Sequence, residues 1–350
     1  MKRNENPYTL MFGKKPQESI SRVVQKTEVV NSFKEESISQ QIYMITGVRG
    51  CGKTVFMTEV ENEFRNDDGW IVIDLDSSSN ILKDMYDSLG SQKTLANIFK
   101  KANINLSAFG IGVEVNNSES ITNLRIALTE MLDSIKKHEK RVLITIDEVT
   151  ATKQMREFAS VFQILVRQEL PVYLLMAGLY ENINNVQNKD NITFLFRAPR
   201  IELKPLNLGI IADNYKENFS ISDEQAMTMA RFTKGYGYAF QLLGYCVWKH
   251  SGDFQKALKE YKSNLEDYVY DVIWSGLSHN DKTLAFGIAS SKTGKASDIR
   301  NIIGMSNNTY STYRRRFVKN GFVDGNEYGY LRFMLPFFGE YVIRMFVDDE

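Results

Sequence analysis

The run Gly47-Val-Arg-Gly-Cys-Gly-Lys53-Thr54 constrains this chain more than any other feature. It satisfies the spacing G-x-x-x-x-G-K-[ST] and follows IYMIT (residues 42–46), a short β-branched apolar run that reads as a buried strand. Residues 55–65 read as the helix behind it, ended by NDDG. A glycine-rich turn between a strand and a helix start lets backbone N–H groups wrap a phosphate without side-chain clash. The helix dipole adds positive potential at the same place. Gly47, Val48, Arg49, Gly50, Cys51, Gly52, Lys53 and Thr54 are therefore expected to bind the phosphates of a nucleotide, with Lys53 on the β/γ-phosphates and Thr54 on Mg2+. Cys51 reads as a small residue at a variable loop position, with no chemistry of its own.

Three further apolar runs, WIVIDL (70–75), VLITI (142–146) and VYLLMA (172–177), alternate with helical patterns at 81–102, 120–137 and 158–168. Nearly continuous apolar strands separated by helices imply a parallel sheet covered on both faces. Residues 103–106 and 109–115 are expected to pair as a hairpin. Asp147-Glu148 closes the third strand, where one acid can hold Mg2+ and the next can polarise an attacking water. Asp74 and Asp76 compete for that role, but no second acid adjoins either. Arg197 and Arg200, beyond the fourth strand, are candidates for the positive charge wanted at a γ-phosphate; Arg49 is expected to face solvent.

After Pro205 the strand signal ends. Ser222-Asp-Glu-Gln225 has capping-box spacing and opens a helix that stops near Gly235, followed by helices at 238–250 and on to Trp274. From Asn280 the order is helix (281–290), short helix (297–303), helix (307–320), a hairpin turning at Asp324-Gly325-Asn326-Glu327, and a closing helix after Pro336. That is the order of a winged helix-turn-helix. In NNTYSTYRRRFVKN, Tyr310, Tyr313 and Phe317 form a core-facing stripe, and Asn308, Ser311 or Thr312, Arg315 and Lys319 share the opposite face. Those side chains suit base edges and phosphates, so Asn308, Thr312, Arg315 and Lys319 are candidate DNA contacts.

Composition narrows the partners. Lys+Arg 43 balance Asp+Glu 43, which argues against a tail-driven polyanion binder, yet residues 270–320 hold eight Lys/Arg against three Asp/Glu. The two cysteines cannot form a disulfide framework, and the three histidines leave little for a zinc site. No apolar stretch is long enough to span a membrane, so a cytoplasmic protein is expected.

The sequence resembles the AAA+ ATPases, in particular their origin-recognition-like archaeal and bacterial branch. The resemblance rests on NPYTLMFGKKP…ISR at the start, on GVRGCGKT and VLITIDEV, and on the lid-like KGYGYAFQLLG (234–244). It implies a P-loop core at 1–205 with a parallel sheet, a small all-α lid at 206–275 and a winged helix-turn-helix at 276–350. It further implies ATP/ADP and Mg2+ as ligands, Lys53 and Thr54 on phosphate and metal, Asp147 assisting the metal and Glu148 as base. Arg197 falls where such proteins place an arginine finger acting on a neighbouring copy of the chain. Two departures stand out: Ala177-Gly178-Leu179 where a polar sensor residue is usual, and no arginine in GYGYAFQ. The expectation is an ATP-binding, slowly hydrolysing switch associated with duplex DNA. The alternative is a nucleotide-gated scaffold whose winged helix binds protein.

Overall fold

The computed structural model describes residues 5–11, 16–36, 39–102, 121–187, 195 and 197–348. They form two compact units, one of Ser21–Thr46 and Lys53–Glu202, the other of Met1–Ile20, Gly47–Gly52 and Leu203–Glu350. The hairpin expected over 103–115 lies outside the described residues. Among the described residues no helix is long and apolar enough to cross a membrane.

The first unit is α/β. It holds α1 (Val23–Lys34), β1 (Ile42–Thr46), α2 (Lys53–Arg65), β2 (Trp70–Leu75), α3 (Ile81–Ser91), α4 (Lys93–Lys101), α5 (Ile121–Lys137), β3 (Arg141–Ile146), α6 (Lys153–Arg167), β4 (Val172–Gly178), α7 (Tyr180–Gln187) and β5 (Arg200–Glu202). The strands make one parallel sheet in the order β2-β3-β4-β1-β5, with Ile42 and Ile144 both level with Leu174. β1 to β4 are almost wholly apolar because helices cover both faces. Alternation sorts the side chains. Met44, Ile73, Ile144 and Leu174 join Met85, Leu128 and Phe162 of α3, α5 and α6 in one cluster. On the other face Phe33 of α1 meets Tyr43 and Tyr173 at ring-centroid distances of 5.4 and 5.2 Å, and Phe64 of α2 meets Trp70 at 4.4 Å.

The sequence pattern predicts four strands; the structure has a fifth, β5, paired with the end of β1. Its three residues, Arg-Ile-Glu, are too few for an alternation to register. α6 also begins earlier than 158, because the Thr152 side chain accepts from the Met155 N–H at 3.1 Å and caps it.

The second unit is helical with one small ribbon: α8 (Leu208–Phe219), α9 (Asp223–Thr233), α10 (Gly237–Lys249), α11 (Phe254–Leu265), a π-turn (Glu266–Tyr270), α12 (Asp271–Ser275), α13 (His279–Ser290), α14 (Ala296–Ile303), α15 (Asn307–Lys319), β6 (Val323–Asp324), β7 (Arg332–Phe333) and α16 (Phe338–Asp348). The predicted capping box is present: Ser222 and Gln225 each bond the other's backbone at the start of α9. α8 is an addition to the expected elements, capped by Asn207. Three helices, α13 to α15, precede the antiparallel β6–β7 ribbon, the order expected of the C-terminal module. The N-terminal segment belongs to this unit. Tyr8 is buried, stacks on Phe219 and donates to Asn214 Oδ1 at 2.7 Å. Gly244 of α10 admits it, since a Cβ there would lie 2.6 Å from the Tyr8 ring.

Candidate functional site

β1 leads directly into the loop 47–52, and α2 starts at Lys53, two residues before the expected 55. The loop turns tightly: the Cys51 N–H donates to the Val48 carbonyl at 3.2 Å. Gly50 (φ +77°) and Gly52 (φ +95°) both occupy the left-handed region that a side chain disfavours. At Gly50 space adds to conformation, because a Cβ would overlap the Tyr236 hydroxyl. Cys51 is buried, as befits a filler residue, and Arg49 is exposed, as expected.

Tyr236 and Tyr238, at the start of α10, reach this loop from its carbonyl side. The Tyr236 hydroxyl donates to the Arg49 carbonyl at 2.5 Å, and the Tyr238 N–H donates to the Gly50 carbonyl at 2.9 Å. Sequence reasoning marked 234–244 only as lid-like and missed this contact.

Within the α/β unit, the Thr54 hydroxyl donates to Asp147 Oδ2 at 2.5 Å. The other oxygen, Oδ1, accepts from the Glu148 N–H at 2.8 Å, so backbone geometry orients the carboxylate. Glu148 is exposed, with φ +49°, and its carbonyl accepts from Ser77 Oγ at 3.3 Å. A hydroxyl and a carboxylate in contact are hard oxygen donors of the kind Mg2+ takes, few enough to leave positions for phosphate oxygens and water. The described residues hold no cluster of three or more His, Cys, Asp or Glu that would bind a metal alone.

Asp74 and Asp76 are committed elsewhere. Asp74 accepts from Thr145 Oγ1 at 2.5 Å and pairs with Arg65 at 2.6 Å. Burial, with Asp74 alongside, pushes the Glu61 carboxyl up to about 7. Asp76 accepts from the N–H and hydroxyl of Ser78, each at 2.8 Å, which holds its carboxyl below the usual range.

The strand-end position without a polar sensor is Gly178, whose Cβ would lie 3.3 Å from the Val149 carbonyl and from Ile183. Arg200 bonds Gln187 and lies 5.0 Å from the Tyr180 ring, a packing role, whereas Arg197 is exposed.

On α15, Tyr310 and Phe317 are buried and Tyr313 is half-buried, while Asn308, Ser311, Thr312, Arg315 and Lys319 are all exposed, which is the division the spacing predicts. Of Arg314-Arg315-Arg316, the last is half-buried and turned inward: its guanidinium pairs at 2.8 Å with the fully buried Asp281. A basic cavity of about 500 Å3 lies in the same unit, lined in part by Arg231, Lys234, Lys292 and Arg332. None of residues 47–54 lines it, so it is not the nucleotide site.

Residues 30–175 match a family model described as an ATPase domain predominantly from Archaea. This stretch is similar to an ATPase domain. Residues 267–342 match a model described as a domain of unknown function, and no curated protein matches the chain. Solved structures similar to it include the ORC2 protein of Aeropyrum pernix in its ADPNP–ADP complexes, at TM-score 0.62 and 13% identity, covering 97% of this chain and 96% of that one. A Walker-type ATPase of Pyrococcus abyssi matches at TM-score 0.59 and 14% identity, over 93% and 95% of the two chains. Cdc6p from Pyrobaculum aerophilum matches at 0.50 and 12%, over 97% of each. The chain is thus similar in fold to these origin-recognition and Walker-type proteins, as the resemblance implied.

Proposed function

We propose that this chain is an ATP-binding, slowly hydrolysing AAA+ switch whose C-terminal module is a winged helix that holds duplex DNA. The observation that carries the nucleotide half is the 2.5 Å contact between Thr54 and Asp147, residues 93 apart in sequence and both singled out for the metal. In this reading the domains are a core at 1–205, a lid at 206–275 and a winged helix at 276–350. The loop amides and Lys53 hold the triphosphate, Thr54 and Asp147 hold Mg2+, and Glu148 orients and deprotonates the attacking water. Mg2+, when bound, neutralises charge on the β- and γ-phosphates. The adenine nucleotides in the Aeropyrum pernix ORC2 structure support ATP as the ligand. Gly178 leaves no side chain to sense the γ-phosphate from the end of β4, which supports slow turnover. Arg197, exposed in this chain, is the candidate to act on the nucleotide of a neighbouring copy.

Calorimetry and phosphate release test the site. Lys53→Ala is expected to abolish ATP binding. Glu148→Gln should retain binding but lose turnover by about a hundredfold or more. Two variants that bind and hydrolyse like the parent would overturn the assignment.

The exposed polar and cationic face of α15 supports DNA as the partner of the C-terminal module. The competing reading, a scaffold whose module binds protein, draws support from Arg316, whose pairing with Asp281 takes one cation out of that basic run.

A further inference from the structure

We propose that Tyr236 is a positioning residue of the phosphate loop, and that residues 234–238 form a strap by which the C-terminal module sets the loop's peptide planes. The inference rests on the nucleotide reading above and concerns how the loop is held in shape. Within a trans peptide plane the C=O and N–H point in opposite directions. The Tyr236 hydroxyl on the Arg49 carbonyl therefore turns the Gly50 N–H to the opposite side. The Tyr238 N–H on the Gly50 carbonyl turns the Cys51 N–H likewise, and that N–H closes the turn onto Val48. Two consecutive planes are thus fixed from their carbonyl sides. A loop that binds anions through amides gains affinity when those amides are oriented before the ligand arrives.

The strap has the residues this contact needs. Gly237 lets α10 begin against the loop, since a Cβ there would stand 3.2 Å from the Cys51 carbonyl and 3.3 Å from that of Gly50. Gly235 (φ +74°) turns the chain, and its carbonyl accepts from the Leu206 N–H at 2.7 Å. Tyr236 is buried, and burial pushes its hydroxyl well above the ordinary tyrosine range, so it remains a donor at any working pH.

The other end of the strap is tied to the C-terminal module. Lys234, itself left-handed at φ +49°, donates through Nζ to the Phe333 carbonyl at 3.0 Å and the Leu335 carbonyl at 3.4 Å. The module also meets the loop directly. A Cβ on Gly321, in the turn after α15, would lie 2.8 Å from Val48 Cγ1. A rearrangement of β7 would therefore reach Arg49 and Gly50 through one lysine and one tyrosine.

ATP titration of the full chain by calorimetry, with melting temperatures of the nucleotide-free proteins alongside, tests this. Tyr236→Phe removes one hydroxyl and leaves the Arg49 carbonyl without its donor, so ATP affinity should fall about three- to tenfold. Tyr245→Phe, on the same helix but outside the strap, should bind like the parent. Lys234→Met should weaken ATP binding in the same direction, and Lys234→Arg should restore it. A purely structural role for Tyr236 would lower the melting temperature and leave the affinity of the folded protein unchanged. Unchanged affinity in Tyr236→Phe beside a parent that binds ATP overturns this inference alone. Equal losses in Tyr236→Phe and Tyr245→Phe also overturn it. A parent that binds no ATP overturns the nucleotide reading and this one together.

Discussion

Glu61 shows how a residue behind the loop helix carries charge without taking part in chemistry. It lies buried on α2, faces Asp74, and has Arg65 at 3.6 Å on its own helix. Its carboxyl rises from 4.5 to about 7, chiefly through burial and then through Asp74. The sign follows from proton counting: between those values the folded chain holds a proton that the unfolded chain has released. This contribution to stability is complete below about pH 4.5 and is lost as the pH climbs to about 7, roughly 3 kcal/mol at most. Glu61→Gln keeps the shape and removes the titration. Its unfolding free energy, measured by urea titration at several pH values, should lack the parent's decline across that window and exceed the parent's above it. Parallel curves for the two proteins would show that Glu61 is not the titrating group. The same cluster engages Asp74, the competing acid. The sequence showed only that no second acid adjoins it; the fold shows Thr145 and Arg65 already engaging it.

At the scale of elements, legibility followed length and contrast. β1 to β4 were readable because both faces are buried and each run is almost wholly apolar. β5 was not, having three residues of mixed character. α8 carried a signal that was overlooked: Asn207 as a cap, then Ile211, Ala212, Tyr215 and Asn218 buried along one helical stripe. The motif residues of the nucleotide site were legible, because a loop between a strand and a helix is local. The Tyr236 contact was not, since 187 residues separate it from Arg49 and no periodicity spans that gap. α15 divides the same way. Its buried stripe could be read from spacing, whereas the different fates of Arg315 and Arg316 depend on Asp281 in α13. Arg316→Met should therefore destabilise the chain by about 2–3 kcal/mol, less than a wholly buried pair because the arginine side chain is 36% exposed. Arg315→Ala should leave the thermal midpoint almost unmoved. Calorimetric melting of both variants decides this, and equal shifts would mean the pair with Asp281 contributes nothing particular.

For the whole molecule, a formal charge of zero hides a local imbalance, because residues 270–320 carry eight Lys/Arg against three Asp/Glu. Long-range attraction to a polyanion is weak for a neutral chain, so in the proposed DNA reading affinity for duplex would come from close contacts on the exposed face of α15. Each cation that neutralises a phosphate releases counterions and steepens the dependence of affinity on salt by about one unit in a double-logarithmic plot. Replacing Arg315 and Lys319 together by Ala should lower duplex affinity by about tenfold or more at moderate salt and flatten that slope by roughly two units. Both side chains are exposed, so the double variant should fold and bind ATP as the parent does. Fluorescence anisotropy with a labelled duplex over a salt series measures the two quantities at once. A parent whose binding is steep in salt and a double variant whose line is shallower would assign the face to DNA. Coincident lines would take Arg315 and Lys319 out of the contact, and a parent indifferent to salt and duplex alike would favour the reading in which the module binds protein.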